Sequence, residues 1–146
     1  RSSGGLTVLC ALIQYPDIFC AASSSYGISD LKSLSQHTHK YELHYTTTLM
    51  GGTYEDLPGV YKARSALHHA DKIRTPLLLL QGDQDRVVAP DQSRRMARAI
   101  ESHAGKIKYI EFPSEGHGFR RSDTRKRALE EEFAWCNDAA RIPEVC

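Results

Sequence analysis

Residues 76–88 read PLLLLQGDQDRVV. Four consecutive leucines, Leu77 to Leu80, are introduced by Pro76 and run out at Gly82. A continuous apolar run of this kind predicts a parallel strand covered on both faces by helices, because such a strand has no solvent side on which polar residues could alternate. Beyond it, Gly82-Asp83-Gln84-Asp85 reads as a turn.

Working outward from this strand, the pattern on either side is that of an α/β protein. After Val87 and Val88, Pro90 suits the first turn of a helix, where its missing N–H costs nothing. Met96, Ala97 and Ile100 give that helix an inward stripe before Gly105. Residues 107–112 (IKYIEF) are rich in β-branched and aromatic side chains and predict a second strand, which leads into the loop Ser114-Glu115-Gly116-His117-Gly118. A last helix is expected after Ser122 or Asp123, with Leu129, Phe133, Cys136 and Ala140 facing inward and Glu130 to Glu132 facing out. Upstream, residues 6–13 repeat apolar residues on every face, the signature of a helix buried all round. Tyr15-Pro16-Asp17 breaks it, and residues 18–25 (IFCAASSS) predict a strand ending at the turn around Gly27. Between residues 30 and 72 the polar, histidine-bearing sequence suggests two or three helices, interrupted at Gly51-Gly52 and Leu57-Pro58-Gly59.

Helix, strand, helices, strand, helix, strand, helix is α/β order and calls for a parallel sheet. The order opens on a helix, and the strand that would deliver the chain into it is missing. The expectation is therefore a single partial domain over residues 1–146, the C-terminal part of a larger unit, and a piece so bounded is expected to fold poorly and lack activity by itself.

Composition narrows the function classes. The 146 residues carry 19 Lys and Arg against 18 Asp and Glu, a formal charge of +1, so no basic field draws nucleic acid or anionic lipid. The four cysteines, Cys10, Cys20, Cys136 and Cys146, lack the CxxC spacing of a zinc or redox site and are expected to be mostly buried thiols. No apolar run approaches the ~20 residues of a membrane helix.

In open α/β sheets reactive groups gather in the loops at the carboxyl ends of strands. Three loops carry candidates. Arg1-Ser2-Ser3-Gly4-Gly5 fits x-S-x-G-G, a nucleophile elbow G-x-S-x-G without its first glycine. Such an elbow holds a serine on a sharp strand-to-helix turn, and its neighbours must be small for the turn to close. Asp85, with Asp83 as its local rival, follows the leucine strand, and His117 lies between two glycines after the last strand. Singly, each is as well explained by a terminal linker or an ordinary turn. Together they run Ser, Asp, His, the chain order of the α/β-hydrolase triad.

On these residues the chain resembles the prolyl oligopeptidase family, in particular its dipeptidyl and acylaminoacyl peptidase members. The segments RSSGG (1–5), YGISDL (26–31), THKYELHY (38–45), RSALHHADKI (64–73), PLLLLQGDQDRVVAPDQS (76–93) and EGHGF (115–119) carry the resemblance, GDQDRVV and EGHGF most specifically. It implies the C-terminal part of an α/β-hydrolase catalytic domain, a serine peptidase acting on peptides, with Ser2 as nucleophile, Asp85 rather than Asp83 as acid and His117 as base. It also implies an upstream half-domain and a preceding β-propeller. The backbone N–H of Ser3 is the expected oxyanion donor. Tyr26, just past a predicted strand, would line the substrate pocket, although a core tyrosine fits the same position. This chemistry calls for no cofactor. His37, His39 and His44 lack HExxH spacing and a paired carboxylate, so no metal is expected. The triad residues alone also fit an esterase or lipase, and the same fold could serve as a non-catalytic module.

Overall fold

The computed structural model describes residues 1–37 and 43–140. Its sheet has three parallel strands in the order β1-β2-β3: β1 Ala22–Ser25, β2 Leu77–Gly82 and β3 Ile107–Phe112. Ala22 aligns with Leu77, and Leu77 with Ile107, so all three strands deliver their carboxyl ends to one edge. Every residue of β2 is buried, as its leucine run requires. Helices α1 (Ser3–Gln14) and α5 (Pro90–Ser102), with the 3-10 segment Ala66–Lys72, cover one face, where Leu9, Leu12, Met96 and Ile100 pack on Leu77 and Leu79. Helix α6 (Ser122–Ala140) covers the other, where Ala128 and Trp135 meet Leu78, Leu80, Ile110 and Phe112. Full burial of a leucine contributes about 1.5–3 kcal/mol, so these two facings of one strand anchor the layers. Helices α2 (Leu31–His37), α3 (Leu43–Met50) and α4 (Pro58–Arg64) lie between β1 and β2 in sequence. Ile28, Leu31, Leu34 and Tyr61 of this region join Val88 in a smaller cluster. Pro58 stands in the first turn of α4, so the proline opens a helix there.

The α/β architecture expected from the sequence is present, with four corrections in detail. The first strand begins at Ala22, not at residue 18. Its opening ladder bond runs from Ala22 N–H to the Pro76 carbonyl, and before that point Ile18 and Phe19 have no strand beside them and stay exposed. Helix α1 is not buried all round: Gly5, Leu9 and Leu12 form its inward stripe, while Thr7 and Cys10 are exposed. The cysteines expected inside, Cys10, Cys20 and Cys136, are all exposed free thiols, and Cys146 lies outside the described residues.

The fourth correction reverses α6. Leu129 and Phe133 are 60% and 75% exposed, and Cys136 and Ala140 share their outer side. The sheet instead receives Thr124 and Ala128, with Glu131 and Glu132 beside them. Ser23 Oγ donates to Glu132 at 2.8 Å and Lys108 Nζ to Glu131 at 2.6 Å, so polar partners on β1 and β3 fix the facing.

Candidate active site

The chain enters α1 through Ser2, whose backbone has φ 52° and ψ −125°, a conformation that side chains rarely adopt. Two close contacts hold this turn. Ser2 N–H donates to the Ser25 carbonyl at the end of β1, at 3.1 Å. Gly5 packs so tightly on the loop after β1 that a Cβ there would lie 2.4 Å from the Gly27 Cα. A backbone held in such a region stores about 1–3 kcal/mol of strain, which persists only where surrounding contacts over-determine it. The Ser2 side chain makes no capping bond to the helix, so its hydroxyl faces elsewhere.

It faces His117. Ser2 Oγ lies 2.9 Å from His117 Nε2, and His117 Nδ1 lies 2.9 Å from Asp85 Oδ2. With the Nδ1 proton donated to the carboxylate, Nε2 is free to accept from the serine hydroxyl. The Asp85 side chain is wholly buried and that of His117 is 22% exposed. Burial pushes the Asp85 carboxyl upward, but the hydrogen bonds from His117 and from the Val88 and Val87 N–H groups outweigh it and hold the group below the usual carboxylate range. Both backbone bonds, at 2.9 Å, go to Oδ1, leaving Oδ2 to the imidazole and to the Gln81 amide, 3.0 Å away.

Asp83, the rival acid, accepts from Ser114 N–H at 2.7 Å and does not reach the imidazole. It joins the loop after β2 to the loop after β3, a turn function. Ser3 is the first residue of α1, so its N–H has no intrahelical acceptor and remains available. Tyr26 is half-buried with φ 42°, its ring centroid 4.9 Å from that of His117 and 5.3 Å from that of Phe119. Alongside lies a hollow of about 180 Å³ lined by Arg1, Ser25, Tyr26, Gly118, Phe119 and Glu132, among others. Tyr26 thus packs on the imidazole and borders open space. His39 lies outside the described residues, as do the side chains of His37 and His44; among the described residues no group of three or more His, Cys, Asp or Glu is placed to hold a metal ion.

Sequence reasoning missed Gln81 and Glu115. Glu115 is buried, and its carboxylate accepts from the N–H groups of Arg120 and Arg121 at 2.9 and 3.1 Å. Burial raises its pKa, while those two bonds, a hydrogen bond with Thr124 and the Arg121 charge lower it by more, so it is held below the usual range. Its carbonyl meanwhile accepts from Gln84 N–H at 2.9 Å, so one residue clasps the acid loop on one side and the head of α6 on the other. The available signal was a lone acidic residue two positions before the histidine, and a lone amide ending a run of leucines.

The chain is similar to several known proteins. The sequence profile described as the prolyl oligopeptidase family matches residues 1–142. The fold superposes on a puromycin-hydrolyzing peptidase of Mycobacterium tuberculosis with a TM-score of 0.89 and 42% identity, over 97% of this chain and 21% of that one. Dipeptidyl aminopeptidase BIII of Pseudoxanthomonas mexicana is 33% identical over 86% of this chain and 19% of its own length. Esterase LipQ of Mycobacterium tuberculosis is 30% identical over 68% of this chain and 24% of its own. The chain therefore spans about a fifth of the length of these relatives.

Proposed function

Since the chain belongs to the prolyl oligopeptidase family, we propose that it carries the catalytic triad of a serine-type peptidase, with Ser2 as nucleophile, His117 as general base and Asp85 as the acid that orients it. The observation that carries this reading is the unbroken relay Ser2 Oγ–His117–Asp85, two contacts of 2.9 Å contributed by three separate loops. Ser2 Oγ attacks the carbonyl carbon of a peptide bond while His117 Nε2 takes its proton, and Asp85 keeps Nδ1 protonated and stabilises the imidazolium. The tetrahedral oxyanion is met by the Ser3 N–H at the positive end of α1; loss of one such donor lowers kcat by about 10²–10³-fold. As the intermediate collapses to an acyl-enzyme, the C–N bond breaks and His117 protonates the leaving amine. Water, activated by the same imidazole, then hydrolyses the ester and restores Ser2. Tyr26 borders the substrate's path beside His117.

The length of the relatives supports reading residues 1–146 as part of one larger α/β-hydrolase catalytic domain, with the nucleophile elbow at residues 1–5. Its partners in the whole protein are an upstream half-domain and a β-propeller, and its substrates are oligopeptides or acyl- or dipeptidyl-peptides. A second reading, ester hydrolysis by the same triad, is favoured by the similarity to Esterase LipQ.

The test is labelling of the full-length protein with a fluorophosphonate, followed by turnover of matched peptide p-nitroanilides and p-nitrophenyl esters. Labelling at Ser2 that Ser2→Ala abolishes, with comparable kcat/KM on both substrate types, is expected. Undiminished labelling of the alanine variant would refute the nucleophile assignment, and ester-only turnover would favour the second reading.

A further inference from the structure

Strand β2 is apolar up to Leu80, and then buries an amide completely: Gln81 has no exposed surface. Burying a primary amide among leucines is unfavourable by several kcal/mol unless its hydrogen bonds are met. Here they are. Its Oε1 accepts from Ser93 Oγ of α5 at 2.8 Å, and its Nε2 faces three acceptors: Asp85 Oδ2 at 3.0 Å, the Val88 carbonyl at 3.2 Å and the Gly82 carbonyl at 3.3 Å. A hydroxyl donor on one side and acceptors on the other leave the amide one orientation, with its nitrogen toward Asp85.

We propose that Gln81 is a positioning residue for the acid of the triad, acting on the same oxygen that holds the histidine. The inference rests on the triad assignment above and adds to it a residue that touches neither substrate nor nucleophile. The geometry gives it a distinct task. Asp85 Oδ1 is fixed by two backbone donors from Val87 and Val88, so the plane of the carboxylate is set from one side. Oδ2 has two partners, the Gln81 amide and His117 Nδ1. With one direction occupied by a rigid buried donor, the imidazole is confined to the other, which keeps its Nε2 on Ser2. The amide also draws charge from Oδ2 and moderates how tightly Asp85 holds a protonated imidazole. Ser93 locks the amide against rotation, tying the strand and helix α5 to the acid. The titratable groups around this pair are Tyr26, packed on the imidazole, and Asp83, held on Ser114 N–H; the Glu115 carboxylate is bonded to Arg120 and Arg121.

Two variants of the full-length protein test this, Gln81→Leu, which keeps the bulk and loses the donor, and Gln81→Met, which also keeps the unbranched shape. Rates are expressed per fluorophosphonate-titrated site, so that a misfolded fraction does not count. For Gln81→Leu, kcat falls about tenfold with KM within about twofold, the pattern of a misaligned catalytic group rather than lost substrate contact. The acid limb of the kcat/KM profile moves to higher pH by about half to one unit, because an Oδ2 freed of one donor holds the imidazolium more tightly. Gln81→Met moves that limb in the same direction and by a similar amount, since it also removes the donor from Oδ2 without adding a charge. If Gln81→Leu fails to fold, the unbranched methionine carries the test alone. Profiles that overlay the wild type, with per-site kcat unchanged, would overturn the proposal, leaving Gln81 a packing residue. Absence of Ser2 labelling in the wild type would instead remove the triad assignment itself, so the two failures are distinguishable.

Discussion

Gly82 ends the central strand at the point where the acid loop and the histidine loop touch, and its replacement by alanine tests whether that contact aligns the site. A Cβ at Gly82 would lie 2.4 Å from the Glu115 carbonyl oxygen and 2.7 Å from both the Glu115 carbonyl carbon and the Gly116 oxygen. Ordinary contacts of a Cβ begin at 3.4 Å, so the Glu115 carbonyl must retreat by about 1 Å. These are backbone atoms and cannot rotate aside. The displacement strains the Gln84 N–H to Glu115 bond and carries His117, two residues on, away from Ser2. Overpacking of this kind costs about 1–3 kcal/mol of stability. A catalytic group displaced by about 1 Å loses on the order of a hundredfold in rate. Urea melts and fluorophosphonate labelling of Gly82→Ala in the full-length protein should therefore show a modest loss of stability and a large loss of reactivity. Gly59→Ala serves as the comparison, since its added Cβ meets nothing within 4 Å. Labelling of Gly82→Ala at the wild-type rate, with stability within about 0.5 kcal/mol, would show that the two loops are not coupled through this contact.

Asp85→Asn should lower kcat by about 10⁴-fold, because an amide can present an N–H to Nδ1 and favour the wrong tautomer, whereas Asp83→Asn, which keeps an acceptor for Ser114 N–H, should alter it severalfold at most. Steady-state kinetics of the pair decides which aspartate acts, and the reverse ranking would overturn the assignment. Glu115→Gln should destabilise the protein at neutral pH. Because the folded pKa of Glu115 is depressed, its stabilisation is complete above the unfolded carboxyl value of about 4.3 and is lost as pH falls through the folded value below it. Urea melts across pH 7 to 3 should thus show wild type and variant converging in acid, and a constant gap at every pH would refute the assignment.

Strands β2 and β3 were legible in the sequence because their side chains carry the reason for the strand: Leu77 to Leu80 have no polar face, and Ile107 to Phe112 are β-branched or aromatic at most positions. The loops that bring Ser2, Asp85 and His117 within hydrogen-bond distance were picked out by the order of those residues along the chain. Where reading by apolarity failed, a partner was deciding. Ile18 and Phe19 suit a strand but precede the first ladder bond at Pro76, and nothing beside them is extended. Leu129, Phe133 and Cys136 have the spacing of a core stripe, yet Ser23 and Lys108 draw Glu132 and Glu131 toward the sheet and turn that stripe outward. Gln81 and Glu115 stayed hidden for the same reason. A single polar residue shows no periodicity, and its role comes from partners in other loops and elements, as Ser93 and Asp85 are for Gln81 and Gln84 N–H is for the Glu115 carbonyl.

Because β1, β2 and β3 run parallel and are neighbours in chain order, every link that returns to the sheet arrives at the end opposite Ser2, Asp85 and His117. Those returns, around residues 15–21, 73–76 and 103–106, can be lengthened, tagged or cut without moving a reactive atom, while a single inserted residue on the other rim shifts one member of the relay against the rest. The two rims should thus differ in evolvability: lineages can accumulate insertions on the quiet rim freely, and a library that randomises loop length there should retain activity where one built on residues 82–89 or 113–118 does not.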